Sequence, residues 1–201
     1  MAKLGWGKIL AGVAAVAAGG AAFIYIRQRG ARAPLYQTIV ADGGFEIRRY
    51  PALLVIETLQ HGSRDRALGA GFGLLAEYMF GEGREGDEIP MTLPLLAEPL
   101  SGGSGARDWR IRFIIPEAFT AASLPPPGGG IAITELPPRD MAAAKVAGAP
   151  GDRLFANTAK SLEAWLQSRG RVAAGAAVQA YYNSPLLSGP VRANEIWIPL
   201  L

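Results

Sequence analysis

Few residues of this chain can do covalent or metal chemistry, and their scarcity narrows its function first. Among 201 residues there is no cysteine and one histidine, His61. That excludes disulfides, thiolate zinc sites, iron–sulfur clusters and cysteine nucleophiles. It also excludes multi-histidine metal centres and most histidine-based catalytic pairs. His61 falls near a strand end, just ahead of a helix start, where a solvated loop histidine is the expectation. A neutral imidazole can also ligate haem iron, but nothing near His61 in sequence favours that role. Glu57, Glu77, Asp87 and Glu88 are the carboxylates beside apolar segments. No spacing sets two of them face to face on one element, and no G-x-S-x-G context supplies a nucleophile. Acid–base catalysis would need a site assembled in three dimensions. The run Gly81-Glu82-Gly83-Arg84-Glu85-Gly86 matches G-x-G-x-x-G, but a dinucleotide site follows a strand and opens a helix. Here a helix precedes and a strand follows, so the run reads as a helix C-cap and loop.

The elements that must position any site are legible from periodicity. Phe45 to Tyr50 alternates apolar and polar residues, as a half-buried strand does. Pro51 interrupts it and Leu53 to Leu59 continues. Ser63 is placed to cap a helix with Leu68, Phe72, Leu75 and Met79 on one stripe. Gly69, Gly71 and Gly73 inside that helix cost it roughly 2–3 kcal/mol of propensity. Close approach to a sheet is the first explanation, and room for a flat ligand the second. Ile89 to Leu96 and Trp109 to Ile115 read as strands joined by the turn Ser101 to Gly105. Beyond Pro125 to Gly130 come Ile131 to Leu136, Met141 to Val146, and a helix capped by Asp152. That helix carries Phe155, Thr158, Leu162, Trp165 and Leu166 on one face and is stopped by Gly170. Val178 to Tyr182 and Glu195 to Ile198 close the chain. The halves align loosely: Pro51 with Pro138, Ser63 with Asp152, Pro94 with Pro185, and Phe113 to Pro116 with Ile196 to Pro199. Drifting offsets suit a duplicated unit and not a solenoid. Two strand–helix–strand–strand units, each with one apolar sheet face and one helix stripe, bury best as a bent sheet with both helices packed on it.

Composition agrees. Half the chain is hydrophobic, and 26 glycines with 15 prolines argue against a helical bundle. The net charge of +3 misleads, because residues 1–33 hold five cations and no carboxylate. The rest carries 15 cations against 17 carboxylates, which leaves no basic face for nucleic acid. Ile9 to Ile26 is an uncharged stretch of 18 residues between Lys3 and Lys8 on one side and Arg27, Arg29 and Arg32 on the other. As a helix it spans roughly 27 Å, enough to cross a bilayer core. An uncleaved single-span anchor is the favoured reading. A cleaved signal, leaving a secreted or periplasmic domain, is the alternative, and a buried helix is the third.

Six ordered segments resemble the SOUL haem-binding protein family. They are Phe45 to Pro51, Phe72 to Gly81, Ile89 to Pro94, Trp109 to Pro116, Tyr181 to Pro185 and Asn194 to Trp197. The resemblance runs from about Tyr36 to the end. It implies an α+β fold: a distorted β-barrel of two pseudo-symmetric β-α-β-β repeats (about 36–124 and 131–201) with two packed helices. The resemblance does not reach residues 9–26, where an N-terminal transmembrane helix is expected on the favoured reading of that stretch. It also implies non-catalytic binding of haem, another tetrapyrrole or a planar amphipathic molecule in an apolar groove along the first helix. Carried onto this chain, the groove residues are Phe72, Leu75, Ala76 and Met79, with Arg192 as partner for a propionate. Some members carry a histidine where Arg49 stands, so haem here would be held by burial and charge pairing or by another axial ligand; Met79, Met91 and Tyr50 are chemically able. A cofactor-free protein-interaction module is the first alternative. The second is a small-molecule hydrolase, since the barrel resembles the gyrase-inhibitor-like effector-binding fold. A buried glutamate with a raised pKa would mark it.

Overall fold

Antiparallel pairing joins nine strands into one sheet in a computed structural model that describes residues 33–81, 86–100, 108–148, 151–182 and 194–201. In chain order the elements are β1 (Gln37–Asp42), β2 (Phe45–Tyr50), β3 (Leu53–His61), α1 (Arg64–Phe80), β4 (Leu95–Pro99) and β5 (Asp108–Ile114). A short 3-10 turn at Ala121–Ser123 follows. Then come β6 (Ala132–Leu136), β7 (Arg139–Val146), α2 (Asp152–Gln167), β8 (Val178–Tyr181) and β9 (Asn194–Pro199). The order across the sheet is β1-β2-β7-β9-β8-β4-β5-β3-β6. From β2 onward, exchanging β2 with β6, β3 with β7, β4 with β8 and β5 with β9 reverses this order onto itself. Each helix is therefore preceded by two strands and followed by two, where the sequence pattern suggested one before it.

Chain connectivity bends this sheet. β2 is second in the order and β3 eighth, yet only Pro51 and Ala52 join them. Six strand spacings of a flat sheet amount to roughly 29 Å, and three Cα steps reach at most about 11 Å. Pro137 and Pro138 set the same condition between β6 and β7, ninth and third in the order. The sheet must curl until both connectors close. It does not become the expected barrel: β1 and β6 remain edges with no ladder between them.

The curl gives the sheet two different faces. The outer one receives both helices, α1 against β3 and β5 and α2 against β7 and β9. Phe72 meets Phe113 edge-on at 5.7 Å, and Phe155 meets Tyr181 likewise at 5.6 Å. Among the described residues the inner face carries no helix. Tyr50, Val55, Leu96, Met141 and Trp197 are nevertheless buried on it, with Leu53 and Leu136 packed against them. Those contacts bring the two ends of the sheet order together across its hollow side.

The local end signals of the helices and strands are honoured unevenly. Ser63 precedes α1 without a side-chain capping bond, and Gly151, not Asp152, is the N-cap of α2. Gly81 ends α1 in the left-handed conformation at φ 79°, donating back to Tyr78, as a C-cap glycine does. Strand β4 begins at Leu95, not Ile89, and β1 was not anticipated. Among the described residues no helix is long and apolar enough to cross a membrane; the 9–26 stretch and the Ser101–Gly105 turn lie outside them.

The three helix glycines separate cleanly. A Cβ on Gly71 would sit 2.7 Å from Ile111, whereas Gly69 and Gly73 have nothing within 4 Å. Close approach to the sheet thus explains Gly71 alone. Gly71→Ala should destabilise the fold by about 1–3 kcal/mol through overpacking. Gly69→Ala and Gly73→Ala should each stabilise it by about 0.5–1 kcal/mol. Urea unfolding of the three variants checks the sign at each position.

Candidate ligand-binding site

Two cavities lie on either side of the β2–β3 connector. The larger, about 700 Å³, is open and mostly apolar, within the range of small-molecule sites. Its floor is Met91, Ile114 and Ile115, all buried. Leu35, Leu54 and Phe119 form its walls. The segment after α1 that carries Met91 is tied down at both sides. The Ile89 amide donates to the Met79 carbonyl at 2.7 Å, and the Thr92 hydroxyl donates to the Ile114 carbonyl. The charged side chains lining this cavity are Glu117 and Glu135. No lysine or arginine lines it among the described residues.

The helix residues expected to line a groove sit elsewhere. Phe72, Leu75, Ala76 and Met79 are 0–6% exposed and face the sheet in the main core. None of them lines either cavity. A stripe that packs on a sheet has the same spacing as one that packs on a ligand, so sequence alone did not separate the two. Arg192 lies outside the described residues. Arg49 is largely exposed and holds Asp140 through a two-pronged ion pair at 2.8 and 3.1 Å. His61 is exposed as expected, but it ends strand β3 in place of lying in a loop, and its ring is bonded to Asp108, its partner across the β3–β5 ladder. Of the three side chains able to ligate iron, Met91 lines the larger cavity and Tyr50 the smaller; Met79 lines neither.

The smaller cavity, about 240 Å³, opens on the hollow inner face of the sheet. Tyr50, Leu96, Met141, Val178 and Trp197 line it. Beside it lie two charge clusters that sequence spacing did not disclose. In the first, Arg112 reaches Glu57 at 2.7 Å and Glu98 at 2.9 Å, while Arg110 reaches Glu98 at 3.2 Å and Glu57 at 3.7 Å. In the second, Arg48 grips Glu195 with both terminal nitrogens, at 2.7 and 2.9 Å, and Glu46 with Nε at 2.7 Å. The Trp197 indole and the Tyr182 hydroxyl also donate to Glu195, at 2.7 and 3.0 Å. Burial pushes the Glu195 carboxyl up, but the bonds from Arg48, Trp197 and Tyr182 outweigh it and hold the group below the ordinary carboxylate range. This is the opposite of the raised glutamate that the hydrolase reading asked for. Burial drives the Tyr50 and Tyr182 hydroxyls far above the usual phenol range. Among the described residues no cluster of histidine and carboxylate side chains could hold a metal.

This arrangement of curled sheet and two outer helices has known counterparts. The C-terminal domain of EcmrR matches with a TM-score of 0.59 at 15% identity, over 83% of this chain and 98% of that one. A hydrolase from Listeria innocua matches with a TM-score of 0.57 at 12% identity, over 81% and 94%. At such identities the likeness establishes the fold. The SOUL heme-binding protein family model matches residues 31–199. The chain belongs to that family. No curated protein matches it in sequence.

The Arg48–Glu195 pair is nearly closed to solvent, with side chains 4% and 8% exposed. Glu195→Ala would leave a buried guanidinium with only Glu46, and should cost about 3–5 kcal/mol. The double variant Arg48→Met/Glu195→Leu should recover most of that loss. Since folding lowers the Glu195 pKa, its contribution is complete above about pH 4.3 and disappears as pH falls through the folded value. Glu195→Gln should therefore flatten the acid limb of the stability–pH curve, measured by urea unfolding from pH 3 to 7.

Proposed function

We propose that this protein binds haem, another tetrapyrrole or a similar planar amphipathic molecule, without catalysis, in the 700 Å³ cavity beside the β2–β3 connector. The observation that carries the reading is the coincidence of the family match with an open apolar cavity of that size. Its volume, apolar floor and the Met91 thioether suit a macrocycle. Its two carboxylates do not suit propionates, so the acid edge faces out of the cavity and the apolar edge in. Bound haem would supply a planar π-system and an iron centre. Met91 is the cavity side chain able to meet that iron. Phe72, Leu75, Ala76 and Met79 serve the site from behind, by holding α1 and the following segment against the sheet. Exchangeable binding of this kind suits transport or buffering.

We further propose that residues 1–33 form a membrane anchor and residues 34–201 the binding domain, with repeat halves at about 36–124 and 131–201. Ala33, Pro34 and Leu35 line the larger cavity. Only seven Cα steps separate Ile26 from Ala33, a reach of at most about 25 Å. A span over residues 9–26 would therefore hold the cavity next to the bilayer surface. It would also set Arg27, Arg29 and Arg32 near the acid edge of a ligand. Amphipathic ligands concentrate in that layer, which favours loading from the membrane over loading from bulk water.

Titrating the purified full chain with haemin, against detergent blanks, should give a saturable Soret shift. Glu117→Gln and Glu135→Gln should tighten binding by a few-fold, by removing like charge near the propionates. Phe119→Glu should weaken it about tenfold or more with folding retained. Phe72→Asp should unfold the domain instead. A titration that never saturates ends the haem reading and leaves the fold untouched.

A further inference from the structure

The smaller cavity has a chemistry of its own. It is apolar on most sides, yet Arg110, Arg112 and Arg139 border it with Glu98 as the lining carboxylate. Arg110 and Arg112 share Glu57 and Glu98 between them, two cations for two anions. The remaining carboxylates of this inner face, Glu46 and Glu195, are taken by Arg48, Tyr182 and Trp197. Arg139 is left over. It forms no ion pair among the described residues, and its Nε is buried without a hydrogen-bond partner. A buried donor with no acceptor costs free energy that a bound acceptor would return. The Tyr50 hydroxyl, on the residue paired with Arg139 across β2 and β7, is buried beside the Arg48 guanidinium with no acceptor for its own proton. The Nε of Arg110, whose Nη1 is ion-paired with Glu98, also lacks a hydrogen-bond partner.

We propose that this cavity is a second binding site, for a small apolar monocarboxylate. The volume holds on the order of ten heavy atoms, judged by the roughly 30 Å³ that a water occupies. That is too few for a tetrapyrrole and enough for an aromatic acid. The ring lies among Leu96, Met141, Val178 and Trp197, and the carboxylate meets the Arg139 guanidinium, which alone of the three arginines at the cavity is held by no ion pair among the described residues. A guanidinium presents paired donors that match a carboxylate edge. A cationic ligand is disfavoured by the three guanidinium groups that border the cavity, and a neutral ligand leaves the Arg139 donor unmet. This site is separate from the larger cavity and does not rest on haem binding there.

Indole-3-acetate is a suitable probe and indole-3-acetamide its uncharged counterpart. Calorimetric titration of the full chain should show one saturable site for the acetate, about tenfold tighter than for the amide. Arg139→Gln should bring acetate binding down to the amide level, while Arg49→Gln, which removes an exposed arginine nearby, should change it less than about twofold. Arg139→Gln should leave the haemin titration unchanged, so the two sites fail or stand independently. In the wild-type chain, the nitrogen-15 resonance of the Arg139 Nε–H should shift on adding acetate, a readout that does not depend on the variant folding. Equal affinity for acid and amide, equal effects of the two arginine variants, or an Nε–H resonance that stays in place would each overturn the proposal.

Discussion

Two connectors of two residues govern this molecule. Pro51-Ala52 and Pro137-Pro138 each link strands that stand six places apart in the sheet. No flat sheet satisfies that condition. Proline suits the task because it donates no hydrogen bond and biases the residue before it toward extended backbone. The chain can leave one ladder and enter a distant one without a hairpin. Once the sheet curls, its two faces acquire different fates. The outer face is wide and convex, and two helices cover it. The inner face becomes an interior with no helix in it, walled by its own strands.

That interior explains why so much charge is buried and paired. Arg48, Glu195, Arg112 and Glu57 all project from the inner face, where the curl takes water away. Removing charges from water costs several kcal/mol per ion, and pairing roughly offsets this instead of adding a surplus. The clusters are therefore poor evidence of stability and better evidence of constraint on the curl. Arg48 on β2 holds Glu195 on β9 across the intervening β7. Arg112 on β5 joins Glu57 on β3 and Glu98 on β4. Registers show the two arrangements as counterparts with exchanged sign. Glu57 faces Arg112 in the β3–β5 ladder, and Lys145 faces Glu195 in the β7–β9 ladder. A sheet sliding by one residue would turn these charges to the outer, helix-packed face, where no partners await them.

Much of this architecture was legible in the residues. Both helix stripes, most strands, the two proline interruptions and the glycine after α1 follow from periodicity and punctuation. Strand β1 escaped because its residues are mostly exposed and carry no apolar alternation. Strand β4 was displaced because the apolar run from Ile89 buries side chains outside any regular ladder. The site was far less legible. Phe72 and Met79 have the spacing and apolarity of a groove, and the sheet has the prior claim on them. Met91, Phe119 and Leu35 come together from three distant segments with no pattern linking them. The equivalence of Phe113 to Pro116 with Ile196 to Pro199 was visible. Extended one residue back, it sets Arg112 opposite Glu195, the one sequence clue to the interior charge layer.

Electrostatics then divides labour between the two cavities. They share Leu53 and meet at the β2–β3 connector, Ala52 bordering one and Pro51 the other. The larger presents Glu117 and Glu135 around an apolar floor, and would accept a ligand whose acid groups stay outside. The smaller presents the unpaired Arg139 guanidinium within largely apolar walls, and would accept an acid group inside. A ligand suited to one would fit the other poorly on charge as well as on size. Coupling between them can travel only a short way, through Leu53 and the connector, and by linkage it must act equally in both directions. The curl thus makes both cavities at once: its seam supplies the wall they share, and its hollow supplies the half-buried Arg139 that gives the smaller one a different charge.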